Sequence, residues 1–117
     1  MKILINRSHG CIRLTRAVYR ELGLPWPEQR KGWGFDEDQI DPKNADFGIV
    51  SSDPDAWRYD PLLIAAVEKL GLEESGGRDV ELLIVEIPDG IEWEIWDYDG
   101  KESVHEKHRH WPGEKDL

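Results

Sequence analysis

Five stretches of the chain carry a readable hydrophobic rhythm, and a long aperiodic segment separates the first two from the rest. Ile3-Leu4-Ile5 is a short apolar run rich in β-branched residues, which predicts a buried strand, and the polar stretch Asn6 to Gly10 reads as the loop that follows it. A helix opens at Leu14-Thr15, with Thr15 as N-cap and Arg16 as the first helical residue. Ala17, Val18 and Leu22 form its apolar stripe, and Gly23 stands at the C′ position. Leu24-Pro25-Trp26-Pro27 stops it, because a proline cannot donate an i→i−4 bond. The period returns at Asp60-Pro61, an N-cap followed by a first-turn proline, with Leu63, Ile64, Val67 and Leu70 at helical spacing up to Gly71. Glu73 to Gly77 reads as a turn or flexible connection. Leu82 to Val85 with Ile87 is apolar on both faces and reads as a central strand, broken by Pro88-Asp89-Gly90.

The last element carries the most specific local signal. Ile91 to Tyr98 leads to Asp99-Gly100, the dipeptide that a two-residue type I′ turn prefers, and Lys101 to Lys107 returns. That turn sets Tyr98 opposite Lys101 and Ile95 opposite Val104, with Trp93 on the same face as Ile95. The other face pairs Glu94 with His105 and Glu92 with Lys107. Asp97 opposite Glu102 is a like-charge mismatch, which suits an exposed end of the hairpin. The expected architecture is α+β: a small mixed or antiparallel sheet of three to five strands with a C-terminal β-hairpin, packed by two helices. Residues 1–117 read as a single domain, with an irregular Trp/Pro/Gly-rich insertion at about 24–59. Only Phe47 to Val50 looks strand-like there. Its tryptophans Trp26, Trp33 and Trp57 carry too much apolar area to be left in water, so a packed lid or edge strand is expected.

Charge narrows the partners. Fifteen Lys and Arg stand against twenty-five Asp and Glu, a net charge of −10. Met1 to Gly32 holds seven bases and two acids, a local +5, so the remainder carries −15. An acidic whole argues against a nucleic-acid polymer as partner, since phosphate contacts supply most of such affinity. It leaves room for a basic pocket that holds a small phosphorylated ligand, and equally for an acidic face that docks on a basic protein. No stretch approaches the roughly 20 apolar residues of a membrane span. Met1 to Asn6 is too short and too soon polar for a secretory signal, so a cytoplasmic setting without a membrane partner is expected. One cysteine, Cys11, excludes an internal disulfide and any Cys-cluster zinc site.

Catalytic constellations are thin. His105, His108 and His110 crowd together, but on a strand His108 and His110 share a face that His105 does not, so no metal site is expected. Asp36-Glu37-Asp38 and Asp97-Tyr98-Asp99 read as solvated acids, with Asp99 already explained by its turn. Cys11 with His9 lacks an orienting third group, and no phosphate-binding glycine motif follows a strand. Neither a catalytic residue nor a cofactor is assigned. The stronger constellation is non-catalytic. Asn6 and Arg7 follow the first strand near the start of the first helix, while His108, Arg109 and Trp111 supply an imidazole, a guanidinium and an aromatic plane. Brought together, Asn6, Arg7, His108, Arg109 and Trp111 would hold a phosphate and stack a base.

The pattern I-N-x3-G-x3-L-T-x-A at Ile5 to Ala17, D-P-x-L-x3-V-E-x-L-G at Asp60 to Gly71 and V-E-I-P-D at Val85 to Asp89, with Trp93, Ile95, Tyr98-Asp99-Gly100 and E-x-H-R-x-W at Glu106 to Trp111, resembles a family. It is similar to small uncharacterised proteins encoded by tailed bacteriophages and prophages. The resemblance covers both ends and leaves about 24–57 unmatched. It implies a phage-type accessory protein that acts in host takeover or defence evasion inside the host cytoplasm. Two functions follow as expectations: sequestration of a small anionic or nucleotide ligand, or inhibition by docking of an acidic surface on a host or defence protein. An exposed strand edge beside Trp96 would also suit a homodimer.

Overall fold

A computed structural model of the chain describes residues 1–26, 39–40, 42, 53 and 55–106. Among them the order is β1 (Lys2–Asn6), β2 (Leu14–Thr15), α1 (Arg16–Leu22), β3 (Gln39–Ile40), a 3-10 turn (Ala56–Tyr59), α2 (Pro61–Leu70), α3 (Leu72–Gly76), β4 (Leu82–Glu86), β5 (Trp93–Tyr98) and β6 (Lys101–Glu106). The class is α+β, with a C-terminal hairpin. The described strands form three two-stranded antiparallel ladders, β1–β4, β2–β3 and β5–β6.

Local chemistry explains the ends of the helices. Gly23 takes a left-handed φ of +72°, and its N–H reaches the Arg20 carbonyl while the Leu24 N–H reaches that of Tyr19, the pair of bonds that satisfies orphan carbonyls at a helix end. Asp60 caps α2 by accepting from the Leu62 N–H at 3.3 Å, and Pro61 occupies the first helical position. Thr15 sits at the cap position of α1, but its hydroxyl does not cap the helix. It donates to the Glu74 carbonyl at 2.7 Å and so ties the start of α1 to α3. Glu73 to Gly77, expected as a turn or flexible connection, lies largely in α3, which winds from Leu72 directly after Gly71, with Ser75 donating back to the Gly71 carbonyl.

Apolar faces then meet in one core of Leu4, Ile12, Leu14, Val18, Trp57, Leu63, Ile64, Val67 and Leu82. Burying a large apolar side chain contributes about 1.5–3 kcal/mol, so this cluster is a large part of the drive to collapse. β1 is buried on both faces from Ile3 to Asn6. Composition suggests that β4 is central, but among the described residues it is an edge strand that pairs only with β1, and Leu83 is 41% exposed on its outer face. The hairpin follows the expected register, Tyr98 opposite Lys101 through Trp93 opposite Glu106. The expected Phe47 to Val50 strand and the Glu92–Lys107 pair lie outside the described residues.

Candidate functional site

The site is best built from the hairpin inward. The inner face of β5–β6 presents Trp93, Ile95, Val104 and Glu102, and Trp93 meets Tyr59 edge to face at 5.9 Å between ring centroids. Glu102 does not lie at an exposed end. It is 2% exposed, and the Asp97–Glu102 mismatch is relieved because each carboxylate has its own partner. Asp97 accepts from the Gly100 N–H at 2.7 Å across the turn. Glu102 receives both terminal nitrogens of Arg58, Nη1 on Oε1 at 2.8 Å and Nη2 on Oε2 at 2.9 Å. Arg58 is 1% exposed, with Nε donating to Asp55 at 2.9 Å and its guanidinium over the Trp57 ring. Burial alone would lower the Arg58 pKa, but the bonds and charges of Glu102 and Asp55 outweigh it and raise it, so the side chain stays charged.

This buried pair has a second task. In the β1–β4 ladder, Arg7 bonds to Glu81 and Met1 to Ile87, so odd-numbered residues of β1 point toward β4 and even-numbered ones point away. Arg58 Nη1 donates to the outward carbonyl of Leu4 at 3.0 Å, and Glu102 Oε1 accepts the outward N–H of Asn6 at 2.8 Å. Two side chains thus stand in for a neighbouring strand, which is how a buried edge keeps its backbone groups satisfied.

Asn6 is fully buried. Its Nδ2 lies within 3.0 Å of the carbonyls of Ser8 and Gly10 and within 2.8 Å of that of Gly100, while its Oδ1 accepts from Ser8 Oγ. The amide is a clamp that joins the 6–10 loop to the hairpin turn, and all its donors are engaged. Arg7 is exposed, with Nη1 donating to the Glu102 carbonyl at 2.7 Å. Three other bases of the basic third are also engaged: Lys2 with Glu68, Arg13 with Gln39 and the Asp79 carbonyl, and Arg16 over the Trp26 ring, while Arg30 and Lys31 lie outside the described residues. His108, Arg109 and Trp111 lie outside the described residues, so the expected five-residue constellation is placed only at Asn6 and Arg7. Asp36 to Asp38 and His110 lie outside as well. His105 stacks on Trp96, with ring centroids 3.7 Å apart, and shares a hydrogen bond with Ser103. Among the described residues no group of three His, Cys, Asp or Glu side chains is arranged to hold a metal ion, and no helix is long and apolar enough to cross a membrane.

A groove of about 550 Å³ runs beside β5, lined by Asp53, Asp55, Ile91, Glu92, Trp93, Glu94 and Ile95. Each titratable side chain on it is a carboxylate. Sequence reading missed it because Asp53 and Asp55 belong to the aperiodic segment, where no period says which way a residue faces. The like-charge pair across the hairpin was the available signal, since a mismatch in an otherwise consistent register points to a cation from another element. Compared with protein-family models, curated proteins and solved structures, the chain matches none of them.

Proposed function

We propose that the protein works by non-catalytic binding, and that its ligand is a basic surface of a partner protein. One observation carries this reading: among the described residues the groove beside β5 is lined by four carboxylates, of which Asp55 already pairs with Arg58, and by three apolar side chains, with no basic residue, in a chain of net charge −10. A phosphorylated ligand would be repelled there, whereas Lys and Arg side chains would gain both the field and the apolar floor for their methylene stems. A small anionic ligand finds less support at the 6–10 loop, because the Asn6 amide is already used and Arg7 is tied to the hairpin. The resemblance to phage-encoded proteins supplies the setting, an accessory protein that occupies a basic surface of a host or defence protein.

Isothermal titration with a lysine-rich peptide, at low and at high salt, tests this reading against cyclic nucleotides and ADP-ribose. The expected result is peptide heat that shrinks as ionic strength shortens the screening length to about 3 Å near 1 M, with no nucleotide heat. Nucleotide binding without peptide binding would replace this reading by the anionic one.

A further inference from the structure

The groove follows a strand edge, and among the described residues that edge is unpaired. The two-residue Asp99–Gly100 turn makes Tyr98 and Lys101 a hydrogen-bonded pair, so Trp96 and Glu94 also bond toward β6. The backbone N–H and C=O groups of Trp93, Ile95 and Asp97 then point away from β6. Among the described residues no strand pairs with them. The same phase sends the Glu102 carbonyl outward from β6, where Arg7 Nη1 meets it, an independent check on the assignment. Side chains already bond to the neighbouring edges: Arg58 and Glu102 to the Leu4 carbonyl and Asn6 N–H of β1, and Arg7 to the Glu102 carbonyl of β6. The β5 edge has instead the groove, with Ile91, Trp93 and Ile95 along one side of the strand and Glu92 and Glu94 along the other.

We infer that an extended segment of a basic partner protein adds as a strand to the outer edge of β5. This rests on the docking reading above and specifies its geometry. Main-chain bonds to Trp93, Ile95 and Asp97 would supply register, and the alternation of faces would select the side chains. Residues over Ile91, Trp93 and Ile95 would be apolar, and those beside Glu92 and Glu94 would be Lys or Arg. A second copy of this chain fits poorly, because antiparallel pairing of two β5 edges would set the same carboxylates against one another.

The test uses the full chain, isotope-labelled, and a synthetic peptide of about ten residues that alternates Lys and Val, long enough to span a typical strand. A second peptide of the same sequence carries N-methyl groups on alternate residues, which keeps the charge but removes the ladder donors. Saturation with the first peptide is expected to slow amide exchange at Trp93, Ile95 and Asp97 by about tenfold or more, and N-methylation is expected to weaken binding by a similar factor. Glu92→Lys, at an exposed position, should weaken binding without changing the unfolding midpoint. Equal binding of both peptides, with exchange at the three amides unchanged, would overturn strand addition and leave cationic docking standing. Protection confined to another edge would also overturn it. No binding of either peptide at about 1 mM would remove both readings together.

Discussion

Breaking the Arg58–Glu102 pair from one side should be among the costliest single changes in this protein. Glu102→Gln keeps the shape and the oxygen shared by the Asn6 N–H and Arg58 Nη1, but it sets an amide NH2 against Nη2 and leaves the buried guanidinium with Asp55 as its one charged partner among the described residues, a loss of about 3–5 kcal/mol. Arg58→Met strands the Glu102 carboxylate and also orphans the Leu4 carbonyl, so about 5 kcal/mol is expected once an unsatisfied buried group at about 1–3 kcal/mol is included. Arg58→Met combined with Glu102→Leu removes both charges and should be cheaper than either single change. It should not be neutral, as many buried pairs are when replaced, because Leu4 C=O and Asn6 N–H both lose their partners on the β1 edge. About 2–4 kcal/mol is expected for it. Against a total of about 5–15 kcal/mol, each single variant gives up about a fifth or more of the stability. Urea unfolding followed by fluorescence, with coincident circular dichroism to check two-state behaviour, measures all three. At an m-value of about 1.5 kcal/mol/M, Glu102→Gln should lower the midpoint by about 2–3 M. A double variant as costly as the two singles together would refute the coupling, and singles below about 1 kcal/mol would refute the burial.

Asn6→Ala should cost about 2–3 kcal/mol, since three carbonyls lose their shared donor, and Asn6→Asp should cost more because a carboxylate is acceptor-only and would face those same oxygens. Thermal unfolding ranks the two, and the reverse order would remove the clamp. Gly10 and Gly100 both take positive φ, but only at Gly100 would an added Cβ run into backbone, that of Gly10. Gly10→Ala should therefore cost about 1–2 kcal/mol, whereas Gly100→Ala should exceed about 3 kcal/mol by separating the loop from the turn, with equal losses counting against that contact. Burial and the adjacent Asp53 carboxylate raise the Tyr59 phenol above its usual range. The folded state then holds this proton longer than the unfolded one. Its contribution to stability is intact below about pH 10 and is lost as pH rises through the folded-state value. Ultraviolet titration of the phenolate should show Asp53→Asn moving the Tyr59 midpoint down, and no movement would exclude Asp53 as a cause.

How much of this was readable beforehand depends on how far apart the interacting groups lie in the chain. β1, α1, α2, β4 and the hairpin with its register were legible, because each is specified by side-chain period, caps and turn residues acting over fewer than about twenty neighbours. The Asp99–Gly100 dipeptide determined which hairpin residues stand opposite one another, and the apolar positions Trp93, Ile95 and Val104 decided which face turns inward. What no local pattern could decide is that Glu102, a charge opposite a charge, would be buried, since its partner Arg58 stands 44 residues earlier in an aperiodic stretch. Nor could it show that Asn6 would be spent on the carbonyl of Gly100, 94 residues away, instead of remaining available for a ligand. Only tertiary structure decides which polar groups leave water, because the cost of burying a charge or an amide is offset by partners that the folded chain alone brings within reach.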